Sequence, residues 1–328
     1  MPRAHRIIVV LACFAGCAAP GPAPRGHNAP ASPPGSAAPL DPQPRSLLGR
    51  PLEPLPPGPQ RDKAEADLAA ARAALEREPD NPDKIVWVGR RLGYLWRMNE
   101  AVEVFTQGLR RFPQFAPFYR HRGHRYLSVR RFDLALGDLR RAAELIEGRP
   151  DEIELNGMPN ARNLPLTTLG FNVWYHLALA HYLRGELVPA DEAWRRCSDF
   201  IGGHADNYVA VADWRYLTLR RLGRDAEAQY LVDAVSPRMD IIENRAYQRR
   251  CLMYAGQVSP EHLLDLPDAG DVDRATLGYG LGMWRLLAGR TDEAAECFRR
   301  VVADGPWPAF AVIAAEAELL RLGAGRPR

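Results

Sequence analysis

Residues 119–126 hold the most distinctive side chains of the chain, because arginines and histidines alternate there. A guanidinium group binds a carboxylate or a phosphate through two parallel hydrogen bonds. His121 and His124 are three residues apart and would share one face of a helix. A compact fold could bring His176 to the same place. The segment therefore favours binding of an acidic group.

A zinc site at these histidines is a sharper alternative, with Asp213 or Glu152 as a further ligand. Protein zinc sites use three or four ligands at about 2 Å. Arginines flank His121 and His124 and repel a cation, and the chain has no His-Glu-x-x-His motif. We predict no metal site and no cofactor.

A hydrolase is a second alternative, with a histidine as base and a carboxylate to orient it. No Gly-x-Ser-x-Gly elbow, no Walker loop and no paired catalytic signature accompanies the histidines. We therefore predict that the protein is not an enzyme.

The charge composition gives no support for nucleic-acid binding. The chain has 43 basic and 40 acidic residues, a formal net charge of +3. Residues 1–60 hold five arginines against Asp41 and Glu53, so the rest of the chain is balanced. Nucleic-acid-binding proteins need a basic face or stripe. We predict no nucleic-acid partner.

The first residues have the pattern of an export signal. Arg3 and Arg6 precede an apolar run over residues 7–15. That run is too short for a membrane-spanning helix, which needs about 20 residues. Residues 18–60 then hold 14 of the 29 prolines and almost no aromatic residues. Such a composition predicts a disordered tether rich in Pro, Ala and Gly.

The segment Phe14-Ala15-Gly16-Cys17 resembles a bacterial lipobox, in which the cysteine is lipidated. The resemblance implies a lipoprotein signal over residues 1–17 and membrane attachment only through Cys17. It also implies an exported protein of the bacterial cell envelope, on the outer-membrane or periplasmic side. The alternatives are Cys13 as the modified residue, or a secreted protein without a lipid.

Beyond residue 80, small and large residues recur with a period of 34. This period is typical of a repeated unit of two antiparallel helices, in which small residues of one helix pack against large residues of the other. In a unit that starts at residue 82, positions 8, 11, 20, 24, 27 and 32 are Gly89, Leu92, Ala101, Phe105, Gly108 and Pro113. A unit that starts at residue 171 has Ala178, Ala190 and Trp194 at positions 8, 20 and 24, and Gly185 at position 15.

These units resemble tetratricopeptide repeats (TPRs) over residues 61–324. The repeats lie near residues 82–115, 116–149, 171–204, 209–240 and 275–308, with a degenerate unit over 241–274. Residues 150–170 form an insertion, and residues 308–322 form a closing cap. The resemblance implies an all-α solenoid, a right-handed superhelix whose concave groove is lined by the first helices. Most proteins of this type bind peptides or partner proteins and have no catalytic activity.

The resemblance also assigns groove positions residue by residue. Guanidinium groups next to Trp and Tyr fit a peptide or protein partner with acidic or carboxylate features. If a partner occupies an open groove, Trp214 and Arg120 should be exposed. The predicted groove residues are Trp87, Arg90, Arg120, His121, His124, Tyr175, His176, Asp213, Trp214, Arg245 and Arg249.

The insertion is predicted to fold back over the first two units. Arg122 takes a position that is normally apolar, and a buried arginine needs a carboxylate partner. Residues 151–154 are acidic and close in sequence. The insertion would then form a lid over the groove. The lid residues are Glu152, Glu154, Asn156, Asn160 and Arg162.

The sequence as a whole predicts a non-catalytic interaction module that is tethered in the bacterial cell envelope. Its partner would be a peptide or protein held in the arginine-rich and aromatic groove. The alternative is a binding protein, or less readily an enzyme, for a small acidic ligand enclosed between the groove and the 150–170 insertion.

Overall fold

The computed structural model describes residues 40–155 and 157–324. The predicted signal, Cys17, residues 18–39 of the predicted tether and Asn156 of the predicted lid lie outside the described residues. Within these ranges the chain forms thirteen α-helices and no strand, with two isolated β-bridges. The prediction of an all-α fold is confirmed.

Most of the helices form pairs joined by short turns, and longer segments precede α6, α10 and α11. A three-residue 3₁₀ helix, Pro260–His262, lies between α10 and α11. The α-helices are α1 (Pro59–Arg77), α2 (Pro82–Tyr94), α3 (Met98–Arg111), α4 (Ala116–Ser128), α5 (Phe132–Ile146), α6 (Leu169–Arg184), α7 (Leu187–Ser198), α8 (Ala205–Arg221), α9 (Asp225–Asp233), α10 (Arg245–Tyr254), α11 (Asp271–Leu287), α12 (Thr291–Asp304) and α13 (Phe310–Arg321).

Local sequence signals set the ends of several helices. The Asn81 side chain accepts a hydrogen bond from the Asp83 amide at 3.0 Å, and Pro82 is the first residue of α2. Thr168 caps α6 through the Phe171 amide at 3.2 Å. Gly185 ends α6 in the left-handed region, with φ of 84°, which a residue with a side chain rarely adopts.

Five helix pairs stack in chain order: α2–α3, α4–α5, α6–α7, α8–α9 and α11–α12. In the first four pairs the second helix also packs on the first helix of the next unit. Helix α10 is a first helix with no second α-helix after it, and it contacts α8 and α11 directly. We call the side of the first helices that faces away from the second helices the inner face.

Residues 40–58 require a correction to the predicted tether. Leu52 and Leu55 are buried, and the Leu55 amide donates to the Leu95 carbonyl at 3.0 Å. The Trp307 indole donates to the Glu53 carbonyl at 2.7 Å. These contacts hold residues 40–58 against the helices, because Leu52 and Leu55 are buried. We call residues 40–58 the strap.

The last helix folds back onto the inner face. Helix α13 packs on α12, α11 and α6, and its residues 311–319 are all buried. The Phe310 ring contacts His124 and His176, with ring centroids 5.3 and 5.5 Å apart. The segment predicted as a closing cap therefore also covers part of the predicted groove.

Candidate anion-binding site

The arginine and histidine side chains of α2, α4 and α6 meet at one end of the inner face. We call this region, formed by α2, α4 and His176 of α6, the N-terminal half. Its ring contacts include His124 with His176, at 4.4 Å between centroids, and His121 stacked on Phe105 at 5.6 Å. The arginines of the region are Arg90, Arg91, Arg120 and Arg125.

Two of the three histidines accept hydrogen bonds from arginines. Arg120 Nη1 donates to His121 Nδ1 at 2.9 Å, and Arg125 Nη2 donates to His124 Nδ1 at 2.8 Å. A guanidinium group can only donate, so both Nδ1 atoms are acceptors and the neutral rings carry their proton on Nε2. In His176 the Nδ1 atom lies 2.5 Å from the Asn172 carbonyl and donates to it.

Burial and like charge hold all three histidines neutral. Burial, then the nearby arginines, lowers the pKa of His121 well below its usual value, and the same causes act on the pKa of His124 and His176. Burial and the charge of Arg120 lower the pKa of Arg125 to about 10. The region therefore carries more positive charge than its surroundings neutralise.

Two of the four arginines meet no carboxylate within ion-pair distance among residues 40–155 and 157–324. Arg90 stacks on Trp87 at 4.5 Å and donates to the Tyr94 hydroxyl at 3.4 Å. Arg125 donates to His124 and, at 3.6 Å, to the Met98 sulfur. The Arg90 and Arg125 side chains are both partly exposed, so a ligand can reach their donors. An anion is therefore a partner that fits this region.

The other two arginines do reach carboxylates. Arg91 lies 3.4 Å from Asp67 of α1. Arg120 pairs with Glu154 of the insertion at 2.9 Å, while its buried Nε atom has no hydrogen-bond partner. Glu154 also leaves one buried oxygen, Oε2, without a partner.

The insertion folds back over the N-terminal half as predicted, although through a different arginine. The Glu154 amide donates to the Thr167 carbonyl at 3.0 Å, which closes a hairpin. Arg91 donates to the Gly157 carbonyl at 2.9 Å. We call residues 151–168 the lid.

The remaining lid residues hold the hairpin in place. Asn160 bonds the Leu164 carbonyl at 2.7 Å, which closes the hairpin tip. Arg162 pairs with Asp240 at 2.6 Å, outside the N-terminal half. The Glu152 side chain is exposed, and its carbonyl accepts from the Leu169 amide at 2.8 Å. Among the predicted lid residues, Glu154 is thus the one that forms an ion pair with an arginine of the N-terminal half, Arg120.

The prediction that the insertion neutralises Arg122 is wrong. Arg122 forms two 2.7 Å hydrogen bonds with Asp138 of α5 and donates to Thr106 of α3 at 3.1 Å. The partner comes from the second helix of the same unit, 16 residues away, because both side chains lie between the two helices of the pair.

The rest of the inner face is filled by α13. We call this region, formed by α6, α8, α10, α11 and the turn that follows α4, the C-terminal half. Glu316 of α13 accepts hydrogen bonds from Arg130 at 2.7 and 3.0 Å and from the Leu47 amide of the strap at 3.0 Å. Glu318 pairs with Arg221 at 3.0 Å and Arg321 at 2.5 Å.

A fully buried ion pair lies deeper in the C-terminal half. Arg250 reaches Asp213 at 2.9 Å, and neither side chain is exposed. The guanidinium group lies over the rings of Trp214 and Tyr279, at 5.6 and 5.3 Å. Burial raises the pKa of Asp213 to about 7. Arg221 and Arg250 are thus each paired with a carboxylate of this chain, although neither oxygen of Asp213 accepts a hydrogen bond.

In comparisons with known proteins, the chain is similar only to solved structures. No family model and no curated protein matches the chain. YrrB, a TPR protein with an unusual peptide-binding site, is 14% identical, with a TM-score of 0.41 over 76% of this chain and 99% of its own. A tetratricopeptide repeat protein from Parabacteroides merdae is also 14% identical, with a TM-score of 0.43 over 78% and 99%. A chain of the structure of Naa15/Naa10 bound to HypK-THB is 14% identical, with a TM-score of 0.35. The match covers 81% of this chain and 40% of that chain.

The same contact recurs in three of the five helix pairs and decides the type of repeat. In three pairs, a glycine of the first helix faces a large side chain 16 residues later. A Cβ atom on that glycine would lie 2.3 to 2.7 Å from the partner side chain. The described residues form a TPR solenoid. The contacts are Gly89 with Phe105, Gly123 with Leu139, and Gly282 with Phe298.

The solenoid does not present its predicted groove as one open surface. Trp214 is fully buried and Arg120 is 6% exposed, so neither is available to a partner as an open groove requires. His121, Tyr175, His176 and Asp213 are also buried. The physical reason is that α13 and the lid cover the inner face. In the N-terminal half, Trp87 and Arg90 remain partly exposed.

The two predicted groove arginines of α10 do not join the cluster. Arg245 is exposed. Arg249 donates to the Leu263 carbonyl at 2.8 Å and to the His262 carbonyl, so it holds the 3₁₀ turn.

Nothing in the described part of the TPR solenoid resembles a metal centre. Over residues 40–155 and 157–324, no group of three or more His, Cys, Asp or Glu side chains is arranged to hold a metal ion. No helix in these ranges is long and apolar enough to cross a membrane.

Several residues of the site were missed by the sequence reasoning. Arg125 belongs to the alternating segment, but its place in the repeat is not one that the TPR resemblance assigns to the groove. Arg91 is missed for the same reason. Glu316 and Glu318 stand in an otherwise apolar segment, and that pattern was a signal that they are buried with partners.

Proposed function

We propose that this protein is a non-catalytic interaction module that binds an acidic group of a partner protein at the N-terminal half. One observation supports this most directly: Arg90 and Arg125 are cationic side chains in a partly enclosed region that offer donors to an anion and meet no carboxylate in ion-pair distance among the described residues. A TPR solenoid provides the extended surface on which such a partner can lie.

The surroundings of the cluster favour a protein partner. Trp87 and Arg90, of the residue types that dominate binding energy at protein interfaces, are partly exposed there. The adjacent lid exposes Ile153, Leu155 and Met158, each by 60% or more. A partner segment with an acidic group next to apolar side chains would satisfy both surfaces.

A small acidic ligand under the lid is the second candidate. Glu154 favours it, because a lid carboxylate already lies on Arg120 and could be replaced by the carboxylate of a ligand. A free dicarboxylate would then bind as tightly as a peptide with the same charges.

Titration calorimetry with a tetraglutamate peptide tests the proposal, with tetraglutamine as the uncharged probe and glutarate as the small dicarboxylate. We expect tetraglutamate to bind and the other two to bind at least tenfold more weakly. Arg90→Gln should weaken tetraglutamate binding about tenfold or more, because a charge-assisted hydrogen bond contributes about 1.5–3 kcal/mol.

Arg299→Gln is the matched control, because Arg299 is an exposed α12 arginine that lies 3.4 Å from Glu296. It should leave the affinity unchanged. Equal binding of tetraglutamate and tetraglutamine, or an Arg90→Gln variant that binds as wild type does, would contradict the proposal. Glutarate binding as tight as tetraglutamate would favour the small-ligand candidate.

We also propose that a lipid on Cys17 holds the module in the bacterial cell envelope, with residues 18–39 as the spacer. The support is the lipobox-like segment that ends at Cys17 and the high proline content of residues 18–39. In cells labelled with a clickable fatty acid, the wild type should carry the label and sediment with membranes. Cys17→Ala should lose both properties, while Cys13→Ala should keep them; a labelled Cys17→Ala protein would refute the anchor.

A further inference from the structure

The turn after each first helix contains one residue in the left-handed region of the backbone. After α6, α8, α10 and α11 this residue is a glycine, which adopts a positive φ without a steric penalty. In the first two units the corresponding residues are Trp96 and Arg130, with φ of 59° and 61°. Side chains of this size make that conformation costly, so both turns carry backbone strain. The glycines are Gly185, Gly223, Gly256 and Gly289.

Both strained residues contact the same tryptophan near the other end of the chain. The rings of Trp96 and Trp307 are nearly perpendicular, with their centroids 5.7 Å apart. Arg130 donates to the Trp307 carbonyl at 3.0 Å, and its guanidinium carbon lies 5.6 Å from the centre of the Trp307 ring. Arg130 also pairs with Glu316 of α13. A glycine at either position would make none of these side-chain contacts.

The strap joins the same group of contacts. The Trp307 indole donates to the Glu53 carbonyl at 2.7 Å. Further along the strap, the Leu55 amide donates to the Leu95 carbonyl, in the residue directly before Trp96, at 3.0 Å. One set of contacts therefore connects the first two units, the strap and the turn that leads into α13.

Backbone strain persists only where the surrounding structure holds it, and it is concentrated at functional and switching regions. We propose that Trp96 and Arg130 form a clasp around Trp307 and that this clasp is a conformational device that closes the solenoid. With the clasp closed, the strap and the beginning of α13 stay against the first two units. When the clasp opens, they separate from these units, and the inner face opens at that end.

The clasp does not depend on the proposal that an acidic group binds at the N-terminal half. Trp96 and Arg130 lie in the turns after α2 and α4, and Trp307 lies before α13, so none of the three belongs to the arginine and histidine cluster. Either proposal can fail while the other holds.

A glycine substitution tests the clasp, because strain and contact predict opposite results. If Trp96 were only a turn residue, Trp96→Gly would relieve the strain and leave hydrogen exchange in the strap unchanged or slower. If Trp96 is part of a clasp, the same change removes the ring contact. We then expect amides of the strap and of residues 307–316 to exchange at least tenfold faster, while those of α8 and α9 keep their rates. Arg130→Gly should have a larger effect, since it also removes the pair with Glu316.

Asp268→Gly is the matched control, because Asp268 also has a positive φ, 58°, and is exposed outside the clasp. It should leave exchange in the strap unchanged. A double-mutant cycle with Trp307→Ala separates the clasp from the other packing of Trp96. When Trp307→Ala is already present, Trp96→Gly should raise the exchange rate by less than twofold, because the partner ring is gone.

Circular dichroism checks that each variant is folded. The proposal is overturned if Trp96→Gly leaves the strap with wild-type exchange, or if its effect is undiminished in the Trp307→Ala background. An equal rise of exchange in α8 and α9 would also overturn it, since that would be a general loss of stability. If Arg130→Gly does not fold, the cycle of the two tryptophans, which are both partly exposed, still decides between these outcomes.

Discussion

The two halves of the inner face contain similar arginines but neutralise them differently. In the C-terminal half, Arg130, Arg221 and Arg250 each reach a carboxylate of this chain at 3.0 Å or less. In the N-terminal half, Arg90 and Arg125 reach none within ion-pair distance among the described residues. Helix α13 covers the C-terminal half, whereas the N-terminal half retains hydrogen-bond donors for an anion.

This difference suggests two roles for the arginines: the paired ones stabilise the fold, and we propose that the unpaired ones bind a ligand. Breaking a buried and matched ion pair leaves an isolated charge, so the residues of the C-terminal half are held for stability. The unmatched arginines of the N-terminal half add nothing comparable to folding, because their positive charges repel one another. The comparison therefore supports the proposal that an acidic group binds at the N-terminal half.

The largest expected effect is on stability, in the C-terminal half. Glu316→Ala leaves Arg130 buried without a carboxylate and removes the acceptor of the Leu47 amide. We expect the free energy of unfolding to fall by about 3–5 kcal/mol, measured by urea denaturation followed by circular dichroism. Glu296→Ala, at exposed pairs of α12, should cost less than about 1 kcal/mol. A similar cost for both changes would mean that α13 does not seal this half.

A smaller effect on stability is expected in the N-terminal half. Glu154→Gln should lower the free energy of unfolding by about 1–3 kcal/mol, which is less than Glu316→Ala, because the amide oxygen of Gln can still accept from Arg120 and Arg120 keeps its bond to His121. The same change should tighten tetraglutamate binding severalfold, since the internal carboxylate no longer competes. Calorimetry checks the affinity, and weaker binding by Glu154→Gln would show that Glu154 is part of the site and not a competitor.

The pH dependence should also differ between the halves. Because the pKa values of His121, His124 and His176 are lowered in the folded chain, protonation at these sites favours the unfolded chain. Their contribution to stability is present above the unfolded pKa of about 6.5 and falls as the pH drops below it. The pKa of Asp213 is raised, so its contribution changes in the opposite sense and is lost as the pH rises through about 7.

Hydrogen exchange at pH 7.5 and 5.0, corrected for the intrinsic rate, checks this contrast. Amides of α4 should lose protection at pH 5.0 relative to those of α8. Replacing His124 by Gln should reduce the difference, because one buried imidazole is then absent. Equal losses in both helices would remove the pH argument for two distinct halves.

The repeat type was predictable from the sequence because the interlocking contacts are local. Gly89 and Phe105 are 16 residues apart and belong to one helix pair, so their spacing is readable without a structure. The partner of Arg122 has the same separation, but an arginine and an aspartate at those positions depart from the repeat pattern. The sequence pattern therefore favours the nearby acidic residues of the insertion, and this prediction is wrong.

The closure of the inner face was not predictable, because it depends on contacts between distant parts of the chain. Glu316 and Arg130 are 186 residues apart. Nothing local in residues 308–322 distinguishes a cap on the last pair from a helix that returns to α6. The apolar character of α13 on all sides was the available signal, since such a helix is buried all round. The strap rests on Leu52 and Leu55 in a segment whose composition indicates disorder.

One measurement tests the assignment of binding to the N-terminal half most directly: hydrogen exchange of the full chain with and without saturating tetraglutamate. We predict that the peptide protects α2, α4 and the lid and leaves α8 and α13 unchanged. Protection confined to α8 and α13, or none anywhere at saturation, would contradict the account.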